Sequence, residues 1–301
     1  MWERIGWIDI PSDRPDWWAS HMSLPFAIEI RPNELRVLMG TRDSENRSSI
    51  GWVDIALSVE SVVLKDWAQV PLLTSGTPGA FDENGVSPSF ARLESGQLDV
   101  WYFGWALRRP SGWWNSVGRA SGLVDGPLTR ISTAPTFDRS VEDPYSLGYP
   151  YLVEHFERQH LFYSSYSQFG IPSEDEYYEY DIKLAVSSDG ESWERLGPIL
   201  YRDGDILAQS RPSVIVENGK WNMWYCAKGS KYQIYSAKST DGLRWEHSAE
   251  TSGLIASGTG GERVEVCYPH VLRLGDSGDL ILLYNGDNYG KSGFGVARWL
   301  E

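Results

Sequence analysis

The sequence is poor in cysteine and in positive charge, and each shortage excludes a class of function. Of its two cysteines, Cys226 and Cys267, neither belongs to a cluster of cysteine and histidine residues with the spacing of zinc ligands. With 27 basic against 41 acidic residues, the formal charge of −14 repels nucleic acid backbones and anionic lipid surfaces. We therefore expect no metal, no other cofactor, and no nucleic acid or membrane partner.

Targeting signals and long apolar runs are also missing. The first residues contain no basic region followed by an apolar one, and no run of about 18 apolar residues occurs anywhere in the chain. We therefore expect a cytoplasmic protein that is not exported. In that compartment two buried free thiols are a better expectation than a disulfide between them, which is the alternative.

Apolar and aromatic residues, in contrast, are abundant and recur with a regular period. Five apolar segments each carry an early proline, at Pro25, Pro88, Pro150, Pro212 and Pro269. The intervals of 63, 62, 62 and 57 residues match β-propeller blades with long loops. We predict one all-β domain over residues 1–301. It is a five-bladed β-propeller whose blades begin near residues 23, 86, 148, 210 and 267.

Behind each proline segment come a second segment rich in aromatic and β-branched residues and a third rich in small residues. Four of the five turns between the first two segments contain a residue suited to a tight hairpin, namely Asn33, Gly96, Gly219 and Gly278. Two blades end in the pattern S-x-D-G-x-x-W, whose tryptophans, Trp193 and Trp245, are expected to lie across the next sheet.

The last blade lacks such an ending, because its third segment reaches the end of the sequence. At the opposite terminus, WERIG at Trp2 to Gly6 nearly repeats WERLG at Trp193 to Gly197. We therefore predict that residues 1–10 supply the outer strand of the fifth blade. This strand would close the ring and remove a sheet edge.

Acidic residues stand four to seven residues before several of the prolines, at the mouth of the predicted axial funnel. Two carboxyl groups, one protonated and one ionised, are what glycoside hydrolysis needs. We predict catalytic roles for Asp82, Asp143 and Glu265. Turn formation is the alternative for each residue alone, but recurrence across blades favours function.

Cations and aromatic residues near the same mouth are candidates for substrate contacts, since rings stack on sugar faces and arginine holds anionic groups. The predicted binding residues are His21, Arg42, Arg47, Trp105, Tyr149, Arg211, Tyr268, His270, Asn285 and Lys291. Trp113 and Trp114, in a glycine-flanked loop, are further candidates. Packing between blades is the alternative for the aromatic residues and His270, and ion pairing is the alternative for the arginines.

The blade period, the S-x-D-G-x-x-W endings and the run SRPSVIVENGKWNMWYC resemble the propeller superfamily of glycoside hydrolase families 32, 43, 68 and 130. In particular, they are similar to uncharacterised bacterial glycosidase-like members. The resemblance covers essentially the whole chain and implies a glycosidase-like fold. Family 43 carries an acid on each of the first three blades. Here Asp82 matches the second, Asp143 or Glu142 the third, and His21 stands where the first is expected.

Two functions follow from the sequence. The first is a glycosidase that acts on a small saccharide or glycoconjugate, with phosphorolysis by phosphate held on Arg42, Arg47 and Arg211 as a variant. The second is a propeller without hydrolytic activity, which binds carbohydrate or performs a tailoring step in a biosynthetic pathway. The missing acid on the first blade favours the second.

Overall fold

The computed structural model describes residues 1–108, 112–169, 178–202, 204–248 and 253–300. These residues form twenty β-strands and one short helical turn, and the all-β prediction is confirmed. The first strand, β1, spans Trp2–Asp9. Across the described ranges, no helix is long and apolar enough to cross a membrane.

The strands after β1 follow one another in up-and-down order and form four-stranded units. Unit 1 contains β2 (Ser20–Arg31), β3 (Glu34–Arg42), β4 (Ser48–Leu57) and β5 (Val62–Trp67). Unit 2 contains β6 (Gly85–Glu94), β7 (Gln97–Arg108), β8 (Gly112–Leu123) and β9 (Thr129–Arg130). Unit 3 contains β10 (Leu147–His155), β11 (Arg158–Phe169), β12 (Tyr178–Ser187) and β13 (Glu194–Pro198). Unit 4 contains β14 (Ala208–Glu217), β15 (Lys220–Lys228), β16 (Tyr232–Ser239) and β17 (Glu246–His247). Unit 5 contains β18 (Cys267–Arg273), β19 (Leu280–Asn285), the turn α1 (Asp287–Gly290), β20 (Gly293–Trp299) and β1.

Neighbouring strands within a unit are antiparallel, and the first strands of the units occupy the centre of the molecule. These first strands contact one another in cyclic order: β2 with β6, β6 with β10, β10 with β14, β14 with β18, and β18 with β2. Single parallel bridges also join unit 1 to unit 2, at Ser48 and Gly85, and unit 3 to unit 4, at Tyr180 and Ala208. The starts of five strands are thereby brought together around one point.

Strand β1 lies at the outer edge of unit 5, paired antiparallel with β20 so that Trp2 faces Trp299. The ring of Trp2 packs edge-on against Trp299 and Trp224, with ring centroids 5.2 and 5.9 Å away. Ile5 and Ile8 of the same strand are buried. The strand therefore covers what would be an open edge of β20 and adds apolar contacts between units.

The backbone at the tips between the first and second strands has the conformation that the residue types there predicted. Asn33, Gly96, Gly219 and Gly278 have φ angles of 60, 79, 74 and 73°, all in the left-handed region. The two-residue hairpins at Asn33, Gly96 and Gly219 need this conformation, because it matches the twist of the flanking strands, whereas Gly278 adopts it in the longer connection between β18 and β19. Glycine adopts it without steric cost, and asparagine at little cost.

The two S-x-D-G-x-x-W segments form tight turns, but their tryptophans pack in the opposite direction to the one expected. Trp193 of unit 3 contacts Trp101 of unit 2, with ring centroids 6.1 Å apart. Trp245 of unit 4 contacts Phe162 of unit 3 at 5.8 Å. Both rings therefore lie on the preceding sheet, since the outer strand of each unit faces the unit before it.

Both cysteines lie in the interior between the units. Cys226 and Cys267 are free and fully buried, as the sequence led us to expect. Burial raises the pKa of both thiols, which keeps them protonated and unreactive at neutral pH.

Candidate functional site

A cavity of about 420 Å³ lies at the centre of the molecule, where the first strands begin. We call it the central pocket. The residues immediately before the prolines of units 1, 2, 3 and 5 line it, namely Leu24, Ser87, Tyr149 and Tyr268. The pocket is therefore built from the same position of the repeat in four different units.

Three of these side chains, those of Leu24, Tyr149 and Tyr268, stand where the first strands have an irregular backbone, and Arg211 is the corresponding residue of unit 4. Leu24, Tyr149, Arg211 and Tyr268 have φ angles of 57, 54, 55 and 54°, which residues other than glycine rarely adopt. The strand pairing also shifts register at each of these places. Such bulges re-aim side chains and are frequent beside functional sites.

Aromatic side chains form most of the wall. Tyr149 packs against Phe103 and Tyr268, with ring centroids 4.9 and 5.8 Å apart. Trp105 and Trp113 face the pocket from unit 2. The tyrosines of the wall are Tyr149, Tyr166, Tyr178, Tyr180, Tyr232, Tyr268 and Tyr289.

The phenol groups of this wall are neutral hydrogen-bonding groups. Burial raises the pKa of Tyr149, Tyr166, Tyr180, Tyr232 and Tyr268 above the usual value for tyrosine. The hydroxyls of Tyr180 and Tyr232 are hydrogen-bonded to each other. At neutral pH these groups can donate and accept hydrogen bonds, but they are poor nucleophiles because they remain protonated.

Two cations line the pocket from units that are not neighbours. Arg42 of unit 1 lies over the ring of Trp105 at 5.1 Å and donates hydrogen bonds to Asn46 at 3.1 and 3.2 Å. The ammonium of Lys228 in unit 4 lies 5.6 Å from the ring centre of Tyr232. Within the described part of the chain, neither cation has a carboxylate oxygen within 4 Å, and no Asp or Glu lines the pocket.

His21 also lines the pocket, in an uncharged form. Burial, with smaller contributions from the cations Arg42 and Lys291, lowers the pKa of His21 to about 4. Its Nδ1 lies 2.8 Å from the hydroxyl of Ser20. At pH 7 the fixed charges of the described pocket wall are therefore those of Arg42 and Lys228.

Asp82 does not line the central pocket but is buried in a contact within unit 2. It precedes β6, accepts a hydrogen bond from the Tyr102 hydroxyl of β7 at 3.1 Å, and accepts another from the Arg130 Nε of β9 at 2.8 Å. We call this arrangement a cross-tie. It joins the loop before the first strand of a unit to the second and the outer strands of the same unit.

Asp143 forms the cross-tie of unit 3 and is likewise away from the pocket. It accepts hydrogen bonds from the Tyr163 hydroxyl and the Lys183 ammonium, both at 2.8 Å, and from the Ser165 hydroxyl at 2.6 Å. Arg195 of the outer strand donates to the same carboxylate. Although burial acts to raise it, hydrogen bonds from Lys183, Ser165 and Arg195 lower the pKa of Asp143, which stays ionised.

A third cross-tie is present in unit 5. Glu262 precedes β18 and accepts hydrogen bonds from the Tyr284 hydroxyl at 3.3 Å and from the Arg4 Nε at 2.6 Å. In three units the acid before the proline thus makes a structural contact. This contact offers an explanation for the recurrence that favoured a functional interpretation of the sequence. Catalytic roles for Asp82 and Asp143 stay predictions, and the structure does not bring their carboxylates together in the pocket.

Glu265 lies closer to the pocket, behind its wall. Its carboxylate accepts a hydrogen bond from the backbone N–H of Tyr232 at 3.4 Å. Burial, assisted by the negative charge of Asp287, raises the pKa of Glu265, whereas Lys228 acts in the opposite direction. Of the three carboxylates predicted to be catalytic, Glu265 is the one next to residues that line the pocket.

The remaining predicted binding residues divide between the pocket and its surroundings. His21, Arg42, Trp105, Tyr149 and Tyr268 line the pocket. Arg47, Arg211, His270, Asn285 and Lys291 are outside its described lining.

The contacts of three of these residues show where they lie instead. Arg47 pairs with Asp43 at 2.9 Å and is exposed, while Asn285 is buried and its amide nitrogen donates to the carbonyl oxygen of Met22 at 2.9 Å. Lys291 lines a separate, more open cleft of about 830 Å³. Glu262 also lines this outer cleft, but its carboxylate already belongs to a cross-tie, so the central pocket is the stronger candidate site.

Sequence reasoning missed Lys228 and five of the seven tyrosines. A signal for two of the pocket residues was nevertheless present. Arg42, Trp105, Tyr166 and Lys228 stand sixteen or seventeen residues after the proline of their unit, at the same end of each second strand. Aligning the repeats by their prolines would have placed Tyr166 and Lys228 beside the two that were identified.

His270 provides a prediction for the pH dependence of stability. Its ring stacks on Phe26 at 3.9 Å between ring centroids, its Nε2 lies 3.0 Å from the carbonyl oxygen of Ala27, and burial, with Arg211 nearby, lowers the pKa of His270 to about 3. Unfolded histidine has a pKa of about 6.5, so the unfolded state binds more protons and stability falls as the pH drops below 6.5. Between pH 7 and pH 5, His270 alone should cost about 2 kcal/mol.

Urea unfolding of the wild type and the His270→Gln variant at both pH values tests this expectation. The free energy of unfolding of the wild type should decrease more than that of the variant, by about 2 kcal/mol. Equal decreases in the two proteins would show that His270 does not control acid stability.

No group of three or more His, Cys, Asp or Glu residues that could hold a metal ion occurs in the described ranges. Apart from His21, the charged and aromatic groups of the pocket wall are rings, phenols and two cations, which are poor metal ligands, and one imidazole alone does not form a metal site. Its side chains are suited to stacking and hydrogen bonding with an organic ligand.

Comparison with solved structures identifies the fold. A glycosyl hydrolase from Bacteroides ovatus superposes with a TM-score of 0.70 at 12% identity, over 99% of this chain and 93% of its own. A thermostable family-43 glycoside hydrolase gives 0.62 at 17% identity, over 94% and 91%. A member of the GH130 family, described as containing hydrolases that target β-1,2 mannosidic linkages, gives 0.68 at 13% identity, over 99% and 93%. At these identities the likeness establishes the β-propeller fold and confirms the resemblance to this superfamily at the level of structure.

Comparison of sequences identifies the family. No family model matches the chain. Two Mycobacterium tuberculosis proteins, "Uncharacterized protein MT1551" of strain CDC 1551 and "Uncharacterized protein Rv1502" of strain H37Rv, are each 35% identical over 299 residues, which is 98% of this chain and 98% of theirs. The chain therefore belongs to the protein family of MT1551 and Rv1502, with the β-propeller fold found in glycoside hydrolases.

Proposed function

We propose that this protein binds a sugar-containing ligand in the central pocket. The observation that carries the proposal is the wall of aromatic rings and neutral phenols, which offers both stacking faces and hydrogen-bonding groups. Its volume of about 420 Å³ is in the range of small-molecule sites. The fold shared with glycoside hydrolases supports a sugar as the ligand.

The side chains of the pocket are better suited to binding a sugar than to hydrolysing it with two carboxyl groups. Glycoside hydrolysis needs two carboxyl groups at the bond that breaks, about 5–9.5 Å apart. The described lining contains no Asp or Glu, and Asp82 and Asp143 are held in cross-ties by tyrosine and arginine. These observations favour the hypothesis of a non-hydrolytic propeller that binds carbohydrate or performs a tailoring step in a biosynthetic pathway.

We also propose that the five units are the blades of one propeller domain over residues 1–301, closed by β1. The cyclic contacts among the five first strands and the pairing of β1 with β20 support this arrangement. In a ring of this kind the axial pocket receives side chains from every blade, which suits recognition of a ligand from all sides.

Trp113 and Trp114 offer a matched test of sugar binding, since they are adjacent on β8 and point to opposite faces. Trp113 lines the pocket, whereas Trp114 lies outside the described lining and stacks under Arg139 at 3.7 Å. A glycan array would identify the sugars that bind, and isothermal titration calorimetry would measure their affinity. Trp113→Ala should weaken binding about tenfold, from the loss of a stacking face, and Trp114→Ala should leave it unchanged. Absence of glycan binding, or equal losses in both variants, would contradict the proposal.

A glycosidase is the second candidate, and one observation favours it. The raised pKa of Glu265, produced by burial and by Asp287, is the property that a general acid requires. This function predicts release of product from aryl glycosides and loss of turnover in Glu265→Gln with sugar binding retained. Full activity in Glu265→Gln, with Glu246→Gln as the exposed control, would exclude this role for Glu265.

A further inference from the structure

We propose that the central pocket selects sugars that carry an anionic group, a phosphate or a carboxylate, and that Arg42 and Lys228 hold this group. The inference rests on the proposed function, because it defines the class of ligand for the same pocket. The charge of the pocket wall differs in sign from the charge of the whole protein. The chain as a whole has a formal charge of −14, yet the charged side chains in the described pocket wall are basic.

Arg42 and Arg47 show the difference between a cation that is already paired and one that is available. Arg47 lies near carboxylates of its own turn, at 2.9 Å from Asp43 and 3.4 Å from Glu45. Arg42 is partly buried in the pocket wall, where its polar contacts are with Asn46 and its face is against Trp105. Partial burial without a carboxylate in direct contact is unfavourable, since Asp43 acts on Arg42 only from beyond 4 Å, and an anionic ligand would relieve it.

Lys228 supplies the second cation of the pocket wall, from unit 4. Its described partner is the ring of Tyr232, a weak interaction compared with an ion pair. Glu265 lies behind Tyr232, where its carboxylate accepts a hydrogen bond from the backbone N–H of Tyr232 and forms no ion pair with Lys228 within 4 Å. A planar guanidinium on one wall and an ammonium on another can share the oxygens of one phosphate or carboxylate group.

Arg211 adds a third positive charge in the interior next to the pocket. It is fully buried, and it donates to the carbonyl and hydroxyl oxygens of Ser89, at 2.5 and 2.7 Å, and to the carbonyl oxygen of Pro25, at 3.4 Å. Its Nε has no hydrogen-bond partner, and no carboxylate oxygen in the described ranges lies within 4 Å of it. Burial lowers the pKa of Arg211 to about 10, so the group remains charged at neutral pH.

The position of Arg211 lets its charge act on the pocket. The pKa of Arg211 responds to the ionisation of Tyr149 and Tyr268, which places the guanidinium near two tyrosines of the pocket wall. In an interior of low dielectric constant a charge is felt over longer distances than in water. Three cations with no carboxylate oxygen within 4 Å among the residues that the structure describes thus produce a positive potential inside an acidic protein, which attracts anions and repels cations.

Inorganic phosphate is the probe that tests the anion site independently of the sugar. Isothermal titration calorimetry at constant ionic strength should detect phosphate binding to the wild type. Arg42→Gln and Lys228→Gln should each weaken it roughly tenfold, the loss of one charge-assisted hydrogen bond. Two controls should bind phosphate like the wild type: Arg47→Gln, whose arginine is already paired, and Lys220→Gln, at the opposite end of β15 from Lys228.

Matched sugars then test the substrate class. Glucose is compared with glucose 6-phosphate, and galactose with galacturonate, so that the phosphate and carboxylate arms are separate. We expect the charged member of at least one pair to bind ten times more tightly or better. This preference should disappear in Arg42→Gln and in Lys228→Gln.

The possible outcomes separate the two proposals. If phosphate does not bind, or binds equally to the Arg42→Gln and Lys228→Gln variants, the anion inference is overturned. If phosphate binds as expected but no sugar binds, the anion site stands and the sugar-binding function falls. If neutral and charged sugars bind equally and Trp113→Ala weakens both, the sugar-binding function stands and the anion inference falls.

Discussion

Deletion of residues 1–10 is expected to lower the melting temperature by about 10–30 °C or to prevent folding. The deletion removes β1 and with it the buried side chains of Trp2, Ile5 and Ile8. Each contributes roughly 1.5–3 kcal/mol through burial, and their sum of about 5–9 kcal/mol is comparable to the whole stability of a typical domain. The deletion also leaves Glu262 without Arg4 and exposes the edge of β20.

Thermal unfolding followed by circular dichroism measures this effect. Trp2→Ala is a smaller change at the same place and should lower the melting temperature by several degrees, since the ring packs between Trp224 and Trp299. Glu3→Ala, at an exposed position of the same strand, is the matched control and should have little effect. An unchanged melting temperature after the deletion would show that β1 is dispensable and that the ring is not closed by it.

Replacement of Asp143 by alanine is expected to destabilise the protein by about 3–5 kcal/mol, the usual cost of removing one partner from a buried ion pair. The carboxylate is fully buried, and the side chains of Lys183 and Arg195 that it neutralises are each 13% exposed. Without Asp143, these two cations and the hydroxyl of Tyr163 lose their common acceptor. The variant therefore tests whether the recurring acid is structural.

Urea unfolding of Asp143→Ala provides the measurement, and the neighbouring Glu142→Ala provides the control. Glu142 is exposed and accepts a hydrogen bond from the hydroxyl of Ser140 within its own turn, so its loss should leave the free energy of unfolding nearly unchanged. A catalytic Asp143 would instead leave stability intact and remove an enzymatic activity. Stability of Asp143→Ala within error of the wild type would refute the cross-tie as a stabilising contact.

Much of the fold could be predicted because its signals are local. The prolines mark the first strands, and the left-handed tips at Asn33, Gly96, Gly219 and Gly278 require residues that the sequence supplies there. The similarity of the first residues to Trp193–Gly197 placed a strand at the amino terminus, and β1 is found beside β20. The direction in which Trp193 and Trp245 pack depends on how whole sheets face each other, and no local signal contains it.

Part of the site could also be predicted from local signals in the sequence. Tyr149 and Tyr268 stand directly before prolines, and Arg42 and Trp105 lie at or near the ends of second strands, so position in the repeat was enough to place them. The acids were harder to interpret, because a recurring Asp or Glu fits a functional ring and a repeated structural contact equally well. What distinguishes the two is the partner set: Tyr102 and Tyr163 lie 20 residues after their acids, and Arg130 and Arg195 lie 48 and 52 residues after them. Only the folded chain shows these side chains together.

A crystal structure of the protein soaked with the tightest-binding sugar of the calorimetric panel tests the central claim most directly. The account predicts the sugar ring in the central pocket against Trp113, with its anionic group in contact with Arg42 and Lys228. A sugar bound in the outer cleft beside Glu262, or a central pocket left empty at saturating concentration, would contradict it.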